Sequence, residues 1–89
     1  MKWDIGFSRN SKKFLSRNSL SEAFAIEYIV LAINKLNGLS ANVHLKKLSG
    51  KWAGGYRIHI GKIRIICYFY FDQNYVLVEE IDFRGNAYK

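Results

Sequence analysis

Two arginines and a histidine lie close together in the chain, on either side of a turn signal. Arg57 and His59 alternate with apolar residues, and Arg64 follows the dipeptide Gly61-Lys62. A glycine in the first position of a two-residue turn favours a type II′ hairpin, which would pair His59 with Arg64 and place all three side chains on one face. Guanidinium groups bind phosphate well. The cluster predicts a phosphate-binding site, with a solvated basic sheet face as the alternative.

The other reactive residues suggest less chemistry. His44 has no second ligand at metal spacing, and we interpret it as a surface residue. Cys67 falls on the apolar parity of its strand, which indicates a buried, inert thiol. Tyr68 and Tyr70 share the parity of Arg64 and are placed to stack on nucleic-acid bases. The sequence contains no glycine-rich phosphate loop, nucleophile elbow or metal motif, so we expect neither a metal nor a cofactor.

The first half of the chain shows one strand pattern and two helix patterns. Apolar residues alternate over residues 3–7, as in a half-buried strand, and residues 8–17 suit a short exposed helix. A second helix is predicted to start at Ser19, with Glu22 completing a capping box, and to end at Asn37-Gly38. This helix is apolar on almost every side, which predicts two covered faces.

The second half predicts a connection followed by three strands. Residues 38–55 are rich in Gly, Ser, Asn and Lys and read as a long connection. Strands follow at 56–60, 63–71 and 75–83, the register of the last being left open because the length of the preceding turn decides it. The order β-α-α-β-β-β predicts an α+β fold, with a mostly antiparallel sheet and both helices on one side. We expect a single domain over residues 1–89.

The charge of the chain is unevenly distributed. The 14 Lys and Arg residues outnumber the 7 Asp and Glu residues, for a net charge of +7. No acid occurs between Tyr28 and Phe71, an interval that holds Lys35, Lys46, Lys47, Lys51, Arg57, Lys62 and Arg64. Such a distribution predicts an anionic partner. A single cysteine, and no apolar stretch long enough for a signal or membrane span, predict a soluble cytoplasmic domain.

These motifs together resemble the RelE/ParE superfamily of toxins from bacterial type II toxin–antitoxin systems. The runs at 45–51 and 56–66 carry most of the resemblance, and residues 3–8 are similar to the family's first strand. The pair Arg84 and Tyr88 is similar to the family's terminal Arg-x-x-x-Tyr. The resemblance covers essentially the whole chain and favours the RelE branch.

The resemblance implies roles for individual residues. Carried over by position, it implies a catalytic set of Arg57, His59, Arg64, Arg84 and Tyr88. It also implies contacts with RNA and the ribosome through Lys46, Lys47, Lys51 and Lys62. His59 stands where lysine or arginine is common, and Phe83 stands where many members have histidine.

RelE-type members cut mRNA on the ribosome without a metal, by attack of the RNA 2′-hydroxyl on the adjacent phosphate. The resemblance therefore implies an endoribonuclease that blocks translation, with mRNA, the ribosome and a cognate antitoxin as partners. It also implies a toxin–antitoxin hetero-oligomer and no association with membranes. Two alternatives stay open: a ParE-like toxin that inhibits gyrase without cutting nucleic acid, and a catalytically degenerate member that only binds nucleic acid.

Overall fold

Residues 3–83 fold into two helices and a five-stranded sheet, which confirms the α+β class. The computed structural model describes residues 3–83. The elements are β1 (Asp4–Phe7), α1 (Arg9–Arg17), α2 (Glu22–Leu36), β2 (His44–Lys47), a 3-10 turn (Gly50–Trp52), β3 (Tyr56–Ile60), β4 (Ile63–Tyr70) and β5 (Tyr75–Phe83). Neither helix in this part of the chain has the length and apolar character needed to cross a membrane.

The sheet has the strand order β1-β5-β4-β3-β2. β1 runs parallel to β5, and every other neighbouring pair is antiparallel. Both helices cover the same face, as predicted, and bury an aliphatic core against the sheet. The core consists of Leu15, Ala25, Ile29, Ala32, Ile33, Val43, Ile58, Ile65, Cys67, Val76, Val78 and Ile81. The opposite face, which we call the open face, has no helix over it in the described part of the chain.

The hairpin between β3 and β4 has the predicted register. Gly61 adopts a left-handed φ of 56°, a conformation that glycine reaches without steric cost. The turn pairs Ile60 with Ile63 and His59 with Arg64. Because residues directly opposite one another share a face, this register places the basic side chains opposite the core.

The predicted connection at 38–55 is wrong in part, because it contains strand β2. β2 pairs antiparallel with β3, so the sheet has one strand more than the predicted order, and Lys46 and Lys47 lie on a strand instead of a loop. β2 forms the edge of the sheet and includes a single apolar residue, Leu45, among basic ones. A strand with one neighbour and little buried surface leaves a weak period-two pattern.

One helix start differs from prediction. α1 lies within the predicted residues 8–17, with Ser8 as its cap; most of its residues are exposed, and Leu15, at 3% exposed, packs in the core. α2 is capped by Ser21, whose Oγ accepts a hydrogen bond from Phe24 N at 3.3 Å, and not by Ser19. Ser19 has φ 54° and belongs to the turn between the helices. A serine with suitable spacing fails as a cap when the turn needs it in a left-handed conformation.

A bulge in β5 explains why its register escaped prediction. Cys67 pairs with Val78, whereas the preceding Ile66 pairs with Glu80, so Glu79 is an extra residue on β5. The bulge reverses the parity of the strand, and both Val78 and Ile81 therefore face the core. Ser8 holds the bulge in place, since its Oγ donates to the Glu79 carbonyl oxygen at 2.6 Å.

Candidate active site

Polar side chains cross the open face in two parallel rows. The strand registers place His44 opposite His59, His59 opposite Arg64, and Arg64 opposite Asp82. These four residues form the first row, with one member on each of β2, β3, β4 and β5. Neighbouring strands lie about 4.8 Å apart, so the row spans roughly 14 Å.

The second row lies beside the first. The same registers align Lys46, Arg57, Ile66 and Glu80 across the four strands. Each row is cationic or imidazole-bearing on β2 and β3 and ends in a carboxylate on β5. The charge on the open face therefore changes sign across the sheet, and an anion is attracted toward β2 and β3.

Arg64 is the most deeply placed charged residue of the two rows. Its side chain is 4% exposed, whereas Arg57 and His59 are half-buried. Burying a guanidinium is costly unless it is paired or hydrogen-bonded, and the register places the Asp82 carboxylate opposite it. A cation held in a fixed position with little water around it stabilises developing negative charge more strongly than an exposed one.

A cavity of about 160 Å³ opens at the β2 and β3 end of the rows. Its lining is formed by His44, Leu45, Lys46, Arg57 and His59. Four of these five residues carry nitrogen donors or imidazole rings, and none is acidic. The lining suits a phosphate group, which accepts hydrogen bonds and bears negative charge.

A larger cavity, about 390 Å³, lies between α1 and β5. Its charged lining mixes Lys13 and Arg17 with Glu80 and Asp82, and the Phe14 and Phe83 rings pack against each other at 5.0 Å. Opposite charges offset one another there. The smaller cavity is therefore the better site for a phosphate.

Glu80, the carboxylate of the second row, has a raised pKa. Burial raises the pKa of Glu80, and the nearby carboxylates of Asp82 and Glu79 raise it further, while Lys51 lowers it. The influence of Lys51 shows that this lysine lies near the second row. Its Nζ also sits 5.1 Å from the centre of the Trp52 ring.

The other predicted residues divide into three groups. Lys46 lies in the second row, beside Arg57. Lys47 is opposite Tyr56, out of parity with the rows, and Lys62 is exposed at the hairpin turn, so neither joins the cavity. Arg84 and Tyr88 lie outside the described residues, and their roles remain predictions.

Aromatic side chains extend the open face beyond the rows. Tyr68 and Tyr70 follow Arg64 and Ile66 on the same face of β4, as their parity predicted. The rings of Tyr70 and Tyr75 are stacked with centroids 6.0 Å apart, and Tyr70 is 40% exposed. Burial raises the pKa of the Tyr68 hydroxyl, with smaller contributions from Glu79 and Tyr70.

His44 is exposed, as its interpretation as a surface residue requires, but it lies on strand β2 directly opposite His59 and not in a loop. Asp82 and Glu80 were also missed as members of the site. Recognising β2 as a strand would have placed His44 beside His59. The face on which Glu80 and Asp82 lie depends on a bulge that the sequence pattern does not reveal. Cys67, by contrast, is fully buried, and burial raises the pKa of its thiol, as the prediction of an inert residue requires. Across residues 3–83, no three His, Cys, Asp or Glu side chains converge in a way that would hold a metal ion.

Solved structures share this fold. YafQ from E. coli strain BL21(DE3) is 20% identical with a TM-score of 0.68, over 99% of this chain and all of that one. The toxin–antitoxin complex RelBE2 from Mycobacterium tuberculosis includes a chain that is 18% identical with a TM-score of 0.64, over 94% of this chain and 100% of that one.

An archaeal RelE–RelB complex from Pyrococcus horikoshii OT3 includes a chain that is 20% identical with a TM-score of 0.61, over 96% of this chain and 98% of that one. No protein-family model matches the sequence, and neither does any curated protein. At these identities, the agreement over nearly the whole length concerns the backbone. The chain has the RelE-like fold.

Proposed function

We propose that this protein is the toxin of a type II toxin–antitoxin system and that it cleaves mRNA on the ribosome without a metal. The observation that supports the proposal is the cationic end of the two rows. There, Arg57, His59 and Arg64 come together on the open face of a RelE-like fold. The cavity beside them has a lining suited to a phosphate.

The reaction requires three functions from the protein. A base removes the proton of the RNA 2′-hydroxyl, cations stabilise the charge that develops on the attacked phosphate, and an acid protonates the departing 5′-oxygen. Arg57 and Arg64 supply the fixed positive charge, together with Arg84. His59 transfers a proton, and Tyr88 stacks on a base of the substrate or shares in proton transfer.

RNA binding uses the charge and the aromatic rings around this site. Lys46 belongs to the second row and Lys51 lies near it, while Lys47 and Lys62 add general attraction for ribosomal RNA that weakens with salt. The exposed Tyr70 ring offers a surface on which a flanking base stacks.

The proposed partner is an antitoxin that covers the toxin in the cytoplasm. Similar chains occur in a DinJ–YafQ toxin–antitoxin complex from E. coli and in the two RelE–RelB type complexes. An acidic or amphipathic segment complements the basic surface, and the outward side of α2 carries the half-buried apolar residues Ile26 and Val30.

The proposal is tested by expressing the protein and its Arg64→Ala variant without an antitoxin. We expect growth arrest and new mRNA ends with the unchanged protein. We expect the variant to lose cleavage by about a hundred- to a thousand-fold, the usual effect of removing one group that stabilises a developing anion. Arg9→Ala changes an exposed arginine on α1, away from the rows, and serves as the matched control.

Because Arg64 is buried, thermal unfolding of the purified variant must show that it folds. Arg64→Lys gives a second variant that keeps the charge but loses the planar, two-pronged geometry. Undiminished cleavage in both variants would contradict the site assignment. Growth arrest with DNA damage and an intact mRNA pool would instead indicate a gyrase inhibitor, and absence of toxicity would indicate a nucleic-acid-binding module.

A further inference from the structure

The two histidines of the protein occupy adjacent positions at the cationic end of the first row. We propose that His44 is a catalytic residue and that it forms a proton-transfer pair with His59, one ring acting as base and the other as acid. This inference rests on the proposed function, since it assigns the second proton carrier of the cleavage reaction.

The strand register puts the two rings within reach of one substrate group. His44 and His59 are directly opposite each other in the antiparallel pair of β2 and β3. The Cβ atoms of such a pair lie about 4.5–5.5 Å apart, and both side chains leave the same face. Both also line the 160 Å³ cavity. A phosphate seated in that cavity therefore contacts both rings.

The surroundings of the pair leave few other proton carriers for this phosphate. Lys46 on β2 and Arg57 on β3 are the charged residues that complete the lining. The carboxylates of Glu80 and Asp82 lie at the far ends of the rows, roughly 14 Å from β2. Lysine and arginine are cationic at neutral pH, whereas imidazole both accepts and donates protons there. His44 is therefore the group best suited to complement His59.

The proposed step is balanced with two imidazoles and no co-reactant. One neutral ring takes the proton of the 2′-hydroxyl while the 2′-oxygen bonds to phosphorus. The bond from phosphorus to the 5′-oxygen breaks, and the second ring, initially protonated, gives its proton to that oxygen. The products are a 2′,3′-cyclic phosphate and a 5′-hydroxyl. Each ring ends in the protonation state in which the other began.

The exposure of the two histidines differs in a way that suits this cycle. His44 is exposed at the edge of the sheet, and His59 is half-buried. Before the next cleavage, the protons must be redistributed through water. Because the His44 ring is open to solvent, the pair can exchange protons with water and regain its starting protonation states without opening the rest of the site.

The test measures single-turnover cleavage of ribosome-bound mRNA by the purified protein between pH 5 and 9. We expect the unchanged protein to show a bell-shaped profile, because one imidazole must be neutral and the other protonated. His44→Gln should lower the rate by about a hundred- to ten-thousand-fold and remove one limb of the bell, with RNA affinity unchanged. Asn42→Ala, an exposed change two residues before His44, is the matched control and should retain both limbs.

A second substrate assigns the two roles. It carries sulfur in place of the 5′-oxygen at the cleaved bond, so that the leaving group needs no proton. Rescue of His44→Gln by this substrate identifies His44 as the acid, and rescue of His59→Gln identifies His44 as the base. The inference would be overturned if His44→Gln cleaved within about threefold of the rate of the unchanged protein, or if its pH–rate profile kept both limbs. If the unchanged protein cuts no mRNA, the proposed function itself fails.

Discussion

The two faces of β4 show how one strand serves the core and the site. On the helix-covered face, Ile65 and Cys67 are fully buried among aliphatic side chains. On the open face, Arg64 is 4% and Ile66 is 7% exposed. Both faces exclude water at their centres, but one does so with apolar atoms and the other largely with charged side chains. Low exposure alone therefore does not distinguish core from site on this sheet.

The difference lies in what surrounds each buried residue. Ile65 is paired with Ile58 on one side and Ile81 on the other, so its neighbours are rigid and apolar. Ile66 is flanked by Arg57 and Glu80, whose long side chains have several rotamers. If Ile65 is truncated, its rigid neighbours leave the resulting cavity open. If Ile66 is truncated, the long side chains of Arg57 and Glu80 move into the space.

The largest effect is expected from truncating these two isoleucines. Ile65→Ala should lower the free energy of unfolding by about 2–5 kcal/mol, the cost of an aliphatic deletion in a rigid core. Ile66→Ala should cost about 1–2 kcal/mol, because the neighbouring long side chains settle into the space. Urea unfolding of both purified variants measures the two values. Equal losses would show that the open face is packed as rigidly as the core.

A smaller effect is expected from Ser8, which joins the start of α1 to the bulge at Glu79 on β5. Ser8→Ala removes the cap bond from Ser11 N at 3.1 Å and the bond to the Glu79 carbonyl at 2.6 Å. We expect a loss of about 0.5–2 kcal/mol in unfolding free energy, from the usual value of a helix cap.

Ser21→Ala is the matched control, because Ser21 caps α2 through a solvent-exposed hydrogen bond of 3.3 Å from Phe24 N. We expect a smaller loss there. If thermal unfolding shows the same loss of unfolding free energy for Ser8→Ala and Ser21→Ala, the contact between Ser8 and the bulge contributes nothing beyond ordinary capping.

The smallest effect is expected from Glu80 at the acidic end of the second row. Its pKa is raised in the folded protein, so the folded state binds this proton more tightly than the unfolded state, and stability is lost as pH rises through the folded pKa. Glu80→Gln should therefore be more stable than the unchanged protein at pH 7, by less than about 1 kcal/mol because solvent screens the charges.

The stability difference between Glu80→Gln and the unchanged protein should disappear below about pH 4, where an unfolded-state glutamate is also protonated. Denaturant unfolding at pH 4 and pH 7 gives both values. A variant that is less stable at pH 7 would show that the Glu80 carboxylate has a favourable partner that outweighs its burial and its acidic neighbours.

Much of the fold could be predicted because its signals are local. Gly61 fixes the hairpin register, and Gly38, with φ 86°, ends α2 where the Asn37-Gly38 signal predicted. The strand β2 and the bulge at Glu79 could not be predicted. The first depends on pairing with β3 along one edge, and the second depends on contacts with Ser8, seventy-one positions away in sequence.

The candidate site was predictable to the extent that it depended on the hairpin. Arg57, His59 and Arg64 were placed together from turn geometry alone, and the structure has them in that register. His44 was dismissed because it lay in an apparent loop. Its position beside His59 is a consequence of long-range pairing, which one sequence with little apolar patterning does not reveal.

The parallel pairing of β1 with β5 also affects the order in which the molecule assembles. Asp4 lies opposite Tyr75, so these strands meet only after the intervening chain is available, whereas β3 and β4 are joined by a two-residue turn. Closing a long loop costs more entropy than closing a short one, and contacts distant in sequence slow folding. The hairpin that carries Arg57, His59 and Arg64 can therefore form before β1 pairs with β5. The candidate phosphate-binding groups then come into register early in folding, and the long-range pairing of β1 with β5 completes the sheet afterwards.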